Sequence, residues 1–361
     1  MSPPPVLARV TRGGRVESVH RGHAAAVGES GPVLAAAGDP DMAVYLRSAA
    51  KPFQVMPLLE AGGEHAFGLT SGEIALMCSS HGGEPVHIRA AARLLAKGGF
   101  TARDLFCGGH MPMHEPSARA LIRRGLEPSP LHNNCSGKHA GLLLATRLYG
   151  FSPKGYWKPS HPIQREVKAR LSAWTGFPVD GIRIAVDGCS LPVFSLPLSA
   201  LARGYARLVS REAGPFAARV VRAMWERPRM MAGRQRFTTD FLLAGRGRWI
   251  GKEGAEGVYA IGIRESHAGE ESIGLAFKIE DGGVRARDTI SLALLAGLGR
   301  LPPSAARALS AYRRPPVVNA RGLVIGRIEP QASEVLAGAA GAFVHGRSRN
   351  AKISGFRARD A

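Results

Sequence analysis

The chain lacks what would carry it through or into a membrane. Met1-Ser2-Pro3-Pro4-Pro5-Val6-Leu7 has neither the basic stretch nor the apolar run of a secretory signal. No uninterrupted apolar run is long enough to span a bilayer. Cysteine is scarce: four in 361 residues, at 78, 107, 135 and 189. So few, so widely spaced, argue for thiols, buried or metal-ligating, rather than a disulfide framework. A cytoplasmic protein without a membrane partner is expected.

Aromatics are also few, at 6%. A formal charge of +20 would ordinarily point to nucleic acid. Here the arginines are scattered, densest from Arg203 to Arg248, with no aromatic interleaving that could stack bases. The Ala/Gly/Arg/Pro-heavy usage reads as compositional drift, and no nucleic-acid partner is expected.

Lysine is the rarer cation, with nine among 48 Lys+Arg. Where a permanent charge suffices, this sequence writes arginine, which cannot lose its proton; lysine can, when desolvated. Three of the nine lysines stand in segments dense with functional groups: Lys51, Lys138 and Lys252. Ser48-Ala49-Ala50-Lys51 opens an apolar segment through Phe53, Val55, Met56 and Leu58. Residues at i and i+3 share a helix face, so Lys51 can reach the Ser48 hydroxyl. Near a helix N-terminus that hydroxyl would form a Ser-Lys nucleophile pair. Alone the pattern is weak, because S-x-x-K also arises by chance as a capping serine and a solvated lysine.

At 361 residues and 45% hydrophobic, the chain can bury a large core as one domain or two closely packed ones. Val6–Val10, Val16–Val19 and Val33–Ala37 read as strands between glycine turns. Thr70-Ser71-Gly72-Glu73 reads as a capping box opening a helix through Met77. Further helices are expected over Pro85–Lys97, Lys138–Tyr149, His161–Trp174 (capped by Ser160), Leu198–Val209, Pro215–Trp225, Thr239–Leu243 and Asp288–Leu298. Strands return at Trp249–Gly251, Val258–Ile263 and Ile273–Ile279. Strands at both ends with helices between predict an α+β fold, its mixed sheet formed by both chain ends and flanked by a helical region. Residues 1–329 form the expected catalytic domain, with two packed subregions. Residues 330–361 read as an Ala/Gly-rich basic tail of marginal order.

Several loops are rich enough in functional groups to carry chemistry. Ser79-Ser80-His81-Gly82-Gly83-Glu84 follows a helix with glycines that let backbone approach a ligand. His132-Asn133-Asn134-Cys135-Ser136-Gly137-Lys138-His139, Asp187-Gly188-Cys189-Ser190 and Lys252-Glu253-Gly254-Ala255-Glu256-Gly257 are the others. Cys135 and Cys189 could bind zinc, or be buried structural cysteines; their spacing matches no common zinc arrangement. Cys78 and Cys107 read as core. His81, His110, His114 and His139 form no H-x-x-x-H pair and read as hydrogen-bonding residues.

These segments, taken in order with Tyr45–Pro52 and Val186–Pro192, resemble the asparaginase II family of the root-nodule-bacterial type, over about residues 6 to 329. There is no Thr-Gly-Gly-Thr element of the two-threonine asparaginases. The resemblance implies a serine β-lactamase/glutaminase-like fold, a homodimer, and hydrolysis of L-asparagine to L-aspartate and ammonia. It implies two catalytic Ser-Lys pairs, Ser48 with Lys51 and Ser80 with Lys252, and a zinc held by Cys135, Lys138 and Cys189. Arg47, His81, Gly82, Asn134 and Asp187, in the same motifs, are taken as substrate-binding. Ser48 is favoured as nucleophile for its helix N-terminal setting, while the motifs leave the choice between Ser48 and Ser80 open. The alternatives are another Ser-Lys amidohydrolase of the penicillin-binding or β-lactamase type, and a non-catalytic basic nucleic-acid-binding protein.

Overall fold

The computed structural model describes residues 3–265, 270–332 and 336. Eight strands build one sheet: β1 (Val6–Arg12), β2 (Arg15–Gly28), β3 (Val33–Ala37), then β7 (Trp249–Glu253), β8 (Val258–Ile263), β9 (Ile273–Ile279), β10 (Pro316–Val318) and β11 (Val324–Pro330). Between them in sequence lie β4 (Ala43–Tyr45), β5 (Arg183–Val186) and β6 (Pro192–Pro197), a separate three-stranded sheet ordered β4-β6-β5. The large sheet runs β10-β11-β1-β2-β9-β8-β7, with β3 on β2. Both chain ends therefore do supply the sheet, but every pairing in it is antiparallel, not mixed. Antiparallel neighbours need only short connections, so no crossover helices are required between consecutive strands.

β2 is the spine. Its first half pairs with β1, and its second half carries β9 on one edge and β3 on another. The sheet has an apolar layer on each face. One contains Tyr259, Phe277 and Leu275 with the helix Arg287–Gly297; the other contains Ala25, Ala260 and Ala276 with the helix Leu198–Val209 and the central helices. Leu198–Val209 lies against the sheet where Gly262 of β8 is paired with Gly274 of β9. A Cβ on Gly274 would sit 1.6 Å from the Ala202 carbonyl oxygen, and one on Gly262 would sit 2.7 Å from that of Tyr205. Two facing glycines thus cut the groove that admits the helix backbone.

The expected capping box at Thr70 and Glu73 is present, starting the helix Ser71–Met77. The expected Ser160 cap is instead supplied by His161, whose ring accepts the Ile163 N–H at the head of the helix Pro162–Thr175. Sequence reading passed over β5, β6, β10 and β11. β10 is a three-residue edge strand and β11, next to it, has one buried residue in seven, so apolar alternation is weak in both. The expected tail, apart from Pro330, Gln331, Ala332 and Leu336, lies outside the described residues; Pro330 itself ends β11. No helix among the described residues is long and apolar enough to cross a membrane.

Candidate active site

Ser80 follows the C-terminus of Ser71–Met77 and is pinned when its N–H donates to the Met231 carbonyl at 3.0 Å. Its hydroxyl meets two lysines. Lys252, from β7, lies 2.7 Å from Ser80 Oγ; Lys51, from the short helix Lys51–Gln54, lies 3.2 Å away on Nζ. Lys51 Nζ also donates to the Ser79 carbonyl, and to that of Asn134 at 3.5 Å. Neither lysine is exposed.

Burial pushes the Lys252 amine down to about 7, helped by the positive charges of Lys51 and Arg287 and opposed by Glu253 and Cys135. A lysine near neutrality is half deprotonated and can take a proton from a hydroxyl. Holding it there represents on the order of 5 kcal/mol of differential solvation between its two forms.

Ser48 is placed differently from expectation. Residues Arg47–Ala50 form one 3₁₀ turn before the helix, and Lys51 donates its backbone N–H to the Ser48 carbonyl. The Lys51 side chain goes to Ser79, Ser80 and Asn134, while the half-buried Ser48 hydroxyl makes no hydrogen bond among the described residues. The shared helix face brings the backbones together, but buried oxygens of the neighbouring loops outcompete a part-exposed hydroxyl for the Lys51 donors.

Arg47 precedes it in the left-handed region (φ 49°), a strained setting for a branchless but bulky side chain. Its Nε donates to Asp187 Oδ1 at 2.9 Å, and Glu256 stands 3.9 Å from Nη1. Burial works against the charged form of Asp187, but Lys138, Arg47 and the Gly188 N–H outweigh it and hold the carboxyl below its usual range. Ser190 and Glu256, in loops touching this pair, are also left-handed, at φ 70° and 60°. Strain of this kind gathers where a site is built.

His81 is fully buried. Its Nδ1 accepts the Gly83 N–H at 3.2 Å, which leaves the proton on Nε2, 2.9 Å from Ser136 Oγ. Burial, with His87 stacked 5.0 Å away, keeps the ring well below its ordinary value and neutral. Nδ1 closes the Ser80 loop on itself and Nε2 ties it to the helix Ser136–Leu148, so both ring nitrogens are already engaged. The backbone N–H groups of His81 and Gly82 donate to no acceptor among the described residues. Asn134 is clamped, its N–H donating to His110 Nε2 at 2.9 Å and its side-chain amide reaching Met113 Sδ at 3.6 Å.

Cys135 and Lys138, at the head of the helix Ser136–Leu148, meet Cys189 from the turn between β5 and β6. Lys138 Nζ is 3.1 Å from Cys189 Sγ, and the Cys135 thiol donates to Asn134 Oδ1 at 3.2 Å. The neighbouring Cys189, with the positive charges of Lys51 and Lys138, favours the thiolate of Cys135 and holds it below the ordinary thiol value; Cys135 and burial push Cys189 up. The thiolates and Asp187 outweigh burial and raise Lys138. Two sulfurs and one amine, all buried, with the amine 3.1 Å from one sulfur, are a donor set that fits a borderline metal such as zinc. Among the described residues no group of three or more His, Cys, Asp or Glu gathers, so any metal here depends on the lysine. Cys78 and Cys107 are buried in the core, as expected.

The motif segment that begins at Lys252 includes Glu253, but the sequence assigns it no role; Thr238, whose hydroxyl donates to it, lies outside every motif.

Residues 8–330 match the family model of L-asparaginase II. The chain belongs to the L-asparaginase II family. No curated protein matches it. Membership over nearly the whole chain places it among asparaginase-type amidohydrolases acting on a small-molecule substrate.

Proposed function

We propose that this member of the family is an L-asparaginase, hydrolysing L-asparagine to L-aspartate and ammonia through an acyl-enzyme on serine. The observation that carries the reading is Ser80 held between Lys51 and Lys252, with one amine near neutral. Ser48, free and half-buried, attacks the side-chain amide carbon. Its proton passes to the Lys51 amine as Lys51 relays one through Ser80 to neutral Lys252. The His81 and Gly82 N–H groups are the available donors for the oxyanion. The relay then returns a proton to the departing ammonia, and water cleaves the β-aspartyl ester, restoring Ser48.

Arg47 and Asp187 offer one charge of each sign at the same place, suited to the α-carboxylate and α-ammonium of an amino acid. Cys135, Lys138 and Cys189 would hold zinc, which when bound supplies positive charge and fixes the loop. The catalytic groups already include a nucleophile and a base, so its part in this reading is ordering and substrate affinity. The antiparallel sheet built from both chain ends supports the serine β-lactamase/glutaminase-like fold. A homodimer is part of the proposal, with Ile184 and Val186 exposed on β5 as candidate contact residues; light scattering tests it.

A second reading has one observation in its favour: the 2.7 Å Ser80–Lys252 contact is itself a nucleophile–base pair. The deciding experiment feeds the enzyme L-asparagine, quenches it in acid during turnover, and maps the acylated peptide by mass spectrometry. A label on the Ser48 peptide supports the first reading, and one on the Ser80 peptide the second. No ammonia from L-asparagine, with ring opening of a β-lactam or ammonia release from L-glutamine, would move the protein to another amidohydrolase class.

A further inference from the structure

Lys252 and Glu253 are neighbours at the end of β7, and neighbours on a strand ordinarily face opposite ways. Yet Glu253 Oε1 comes within 3.5 Å of Lys252 Nζ. The carboxylate is drawn there from its other oxygen, Oε2, which accepts the Thr238 hydroxyl; that hydroxyl is 3.1 Å from Tyr259 OH. Thr238 stands in the helix Phe237–Gly245 and Tyr259 on β8, so two elements fix one side chain. Glu253 is buried, and its Oε1 has no hydrogen-bond partner, only Lys252 at 3.5 Å and Arg236 Nη2 at 3.8 Å.

A buried acceptor left without a donor is costly unless something later satisfies it. We propose that Glu253 is a positioning residue, its Oε1 held in reserve to receive the Lys252 ammonium formed when Ser80 gives up its proton. In the resting pair the Lys252 amine points to Ser80 Oγ and to the Glu253 carbonyl oxygen, each 2.7 Å away. The proton leaves Ser80 Oγ for Nζ as Lys51 supplies another to Oγ, and the added N–H on Lys252 finds Oε1 within reach. Ser80 ends the step protonated, and the net change is one proton gained by Lys252 and one lost by Lys51, which Ser48 replaces. The charged and titratable groups facing Lys252 are Glu253 on its own strand, Lys51 after the first 3₁₀ turn, Cys78 at the end of the helix Ser71–Met77, Cys135 at the head of the helix Ser136–Leu148, and Arg287 of the helix Arg287–Gly297. Among them Glu253 is the only carboxylate. Burial disfavours its charge, but Lys252, Arg287 and Arg236 hold it down at about 2, so it is an anion throughout the working range.

The inference rests on reading Lys252 as the proton-carrying amine, and its test does not need substrate. With nine lysines in the chain, selective ¹³Cε-lysine labelling gives a readable NMR spectrum, and loss of one peak in Lys252→Arg assigns Lys252. Removing an anion this close should lower the Lys252 midpoint further, by at least about one pH unit in Glu253→Gln. Thr238→Val, which only loosens the carboxylate, should move it less and in the same direction. In steady state, Glu253→Gln should lose kcat at least tenfold with KM little changed. An unmoved Lys252 midpoint in folded Glu253→Gln would overturn the proposal, as would a loss of activity equal at every pH. Should Glu253→Gln fail to fold, the Thr238→Val and Glu253→Asp midpoints decide by the same criterion. Absence of asparaginase activity in the unaltered enzyme would refute the proposed function and leave the titration result standing.

Discussion

Ser80 Oγ and Lys252 Nζ lie 2.7 Å apart across 172 positions of sequence. Ser80 follows an N-terminal helix, and Lys252 stands on the outermost strand of a sheet whose other members come from both chain ends. The contact couples the two halves of the chain at one hydroxyl, with Lys51 as the third member.

Serine substitutions separate the roles. Ser48→Ala and Lys51→Ala should each remove asparagine hydrolysis while the protein stays folded by circular dichroism. Groups that act as a unit are non-additive, so Ser48→Ala with Ser80→Ala should be little worse than Ser48→Ala alone. More than a few per cent of turnover in Ser48→Ala would withdraw it as nucleophile.

Lys252 sets a pH dependence. Its folded value, about 7, lies below the unfolded 10.5, so below pH 7 the folded state must charge a buried amine. Turnover that needs the neutral amine should fall with unit slope as pH drops through about 7, read in a kcat/KM profile. By the same sign this group's penalty on stability is full below pH 7 and relieved as pH rises toward 10.5. Lys252→Arg keeps a charge but cannot lose it, and should be as inactive as Lys252→Ala. A Lys252→Arg enzyme with most of the rate would rule out proton transfer there.

Asp187→Asn removes the anion beside Arg47. A lost charged hydrogen bond to the substrate ammonium should raise KM by roughly 10- to 100-fold, with a smaller change in kcat. Equal losses in kcat and kcat/KM would place Asp187 in the chemical step rather than in recognition.

Zinc is checked by composition and by kinetics together. Cys135→Ser should lose stoichiometric metal, raise KM, and lower kcat far less than Ser48→Ala does. Elemental analysis of protein purified without chelator, paired with the KM of the metal-stripped enzyme, reads both. A stripped enzyme with unchanged KM would end the affinity role and leave Cys135 and Cys189 as an unliganded pair of buried thiols.

Much of the site is legible in sequence because its parts are local. The Thr70–Glu73 box and the helices at Pro85–Lys97 and Leu198–Val209 follow from capping and periodicity within single segments. The motif loops announce themselves by functional-group density. What stays hidden depends on partners far along the chain. Spacing brings Lys51 to Ser48, but the buried Ser79 and Asn134 carbonyls decide where its protons go. His81 looks like a ligand-facing residue until Ser136 and Gly83 occupy both nitrogens. Glu253 is invisible because a strand residue beside a lysine should face away, and only Thr238 turns it back. The Gly262–Gly274 pairing likewise has no meaning until a helix backbone is laid across it.

The order of strands also sets a timetable for the nascent chain. Lys252 reaches Ser80 from β7, which joins the sheet only through β8 and β9, and β9 is docked on β2 with Gly22 opposite Ile279. A polypeptide emerging from the ribosome therefore carries both serines and Lys51 long before it owns its second amine. The half-made site stays inert until residues beyond 279 have been synthesised and paired with the first thirty. Contacts this distant in sequence carry a large loop-closure cost and are expected to form late, and Lys252 reaches Ser80 only once β9 has paired with β2.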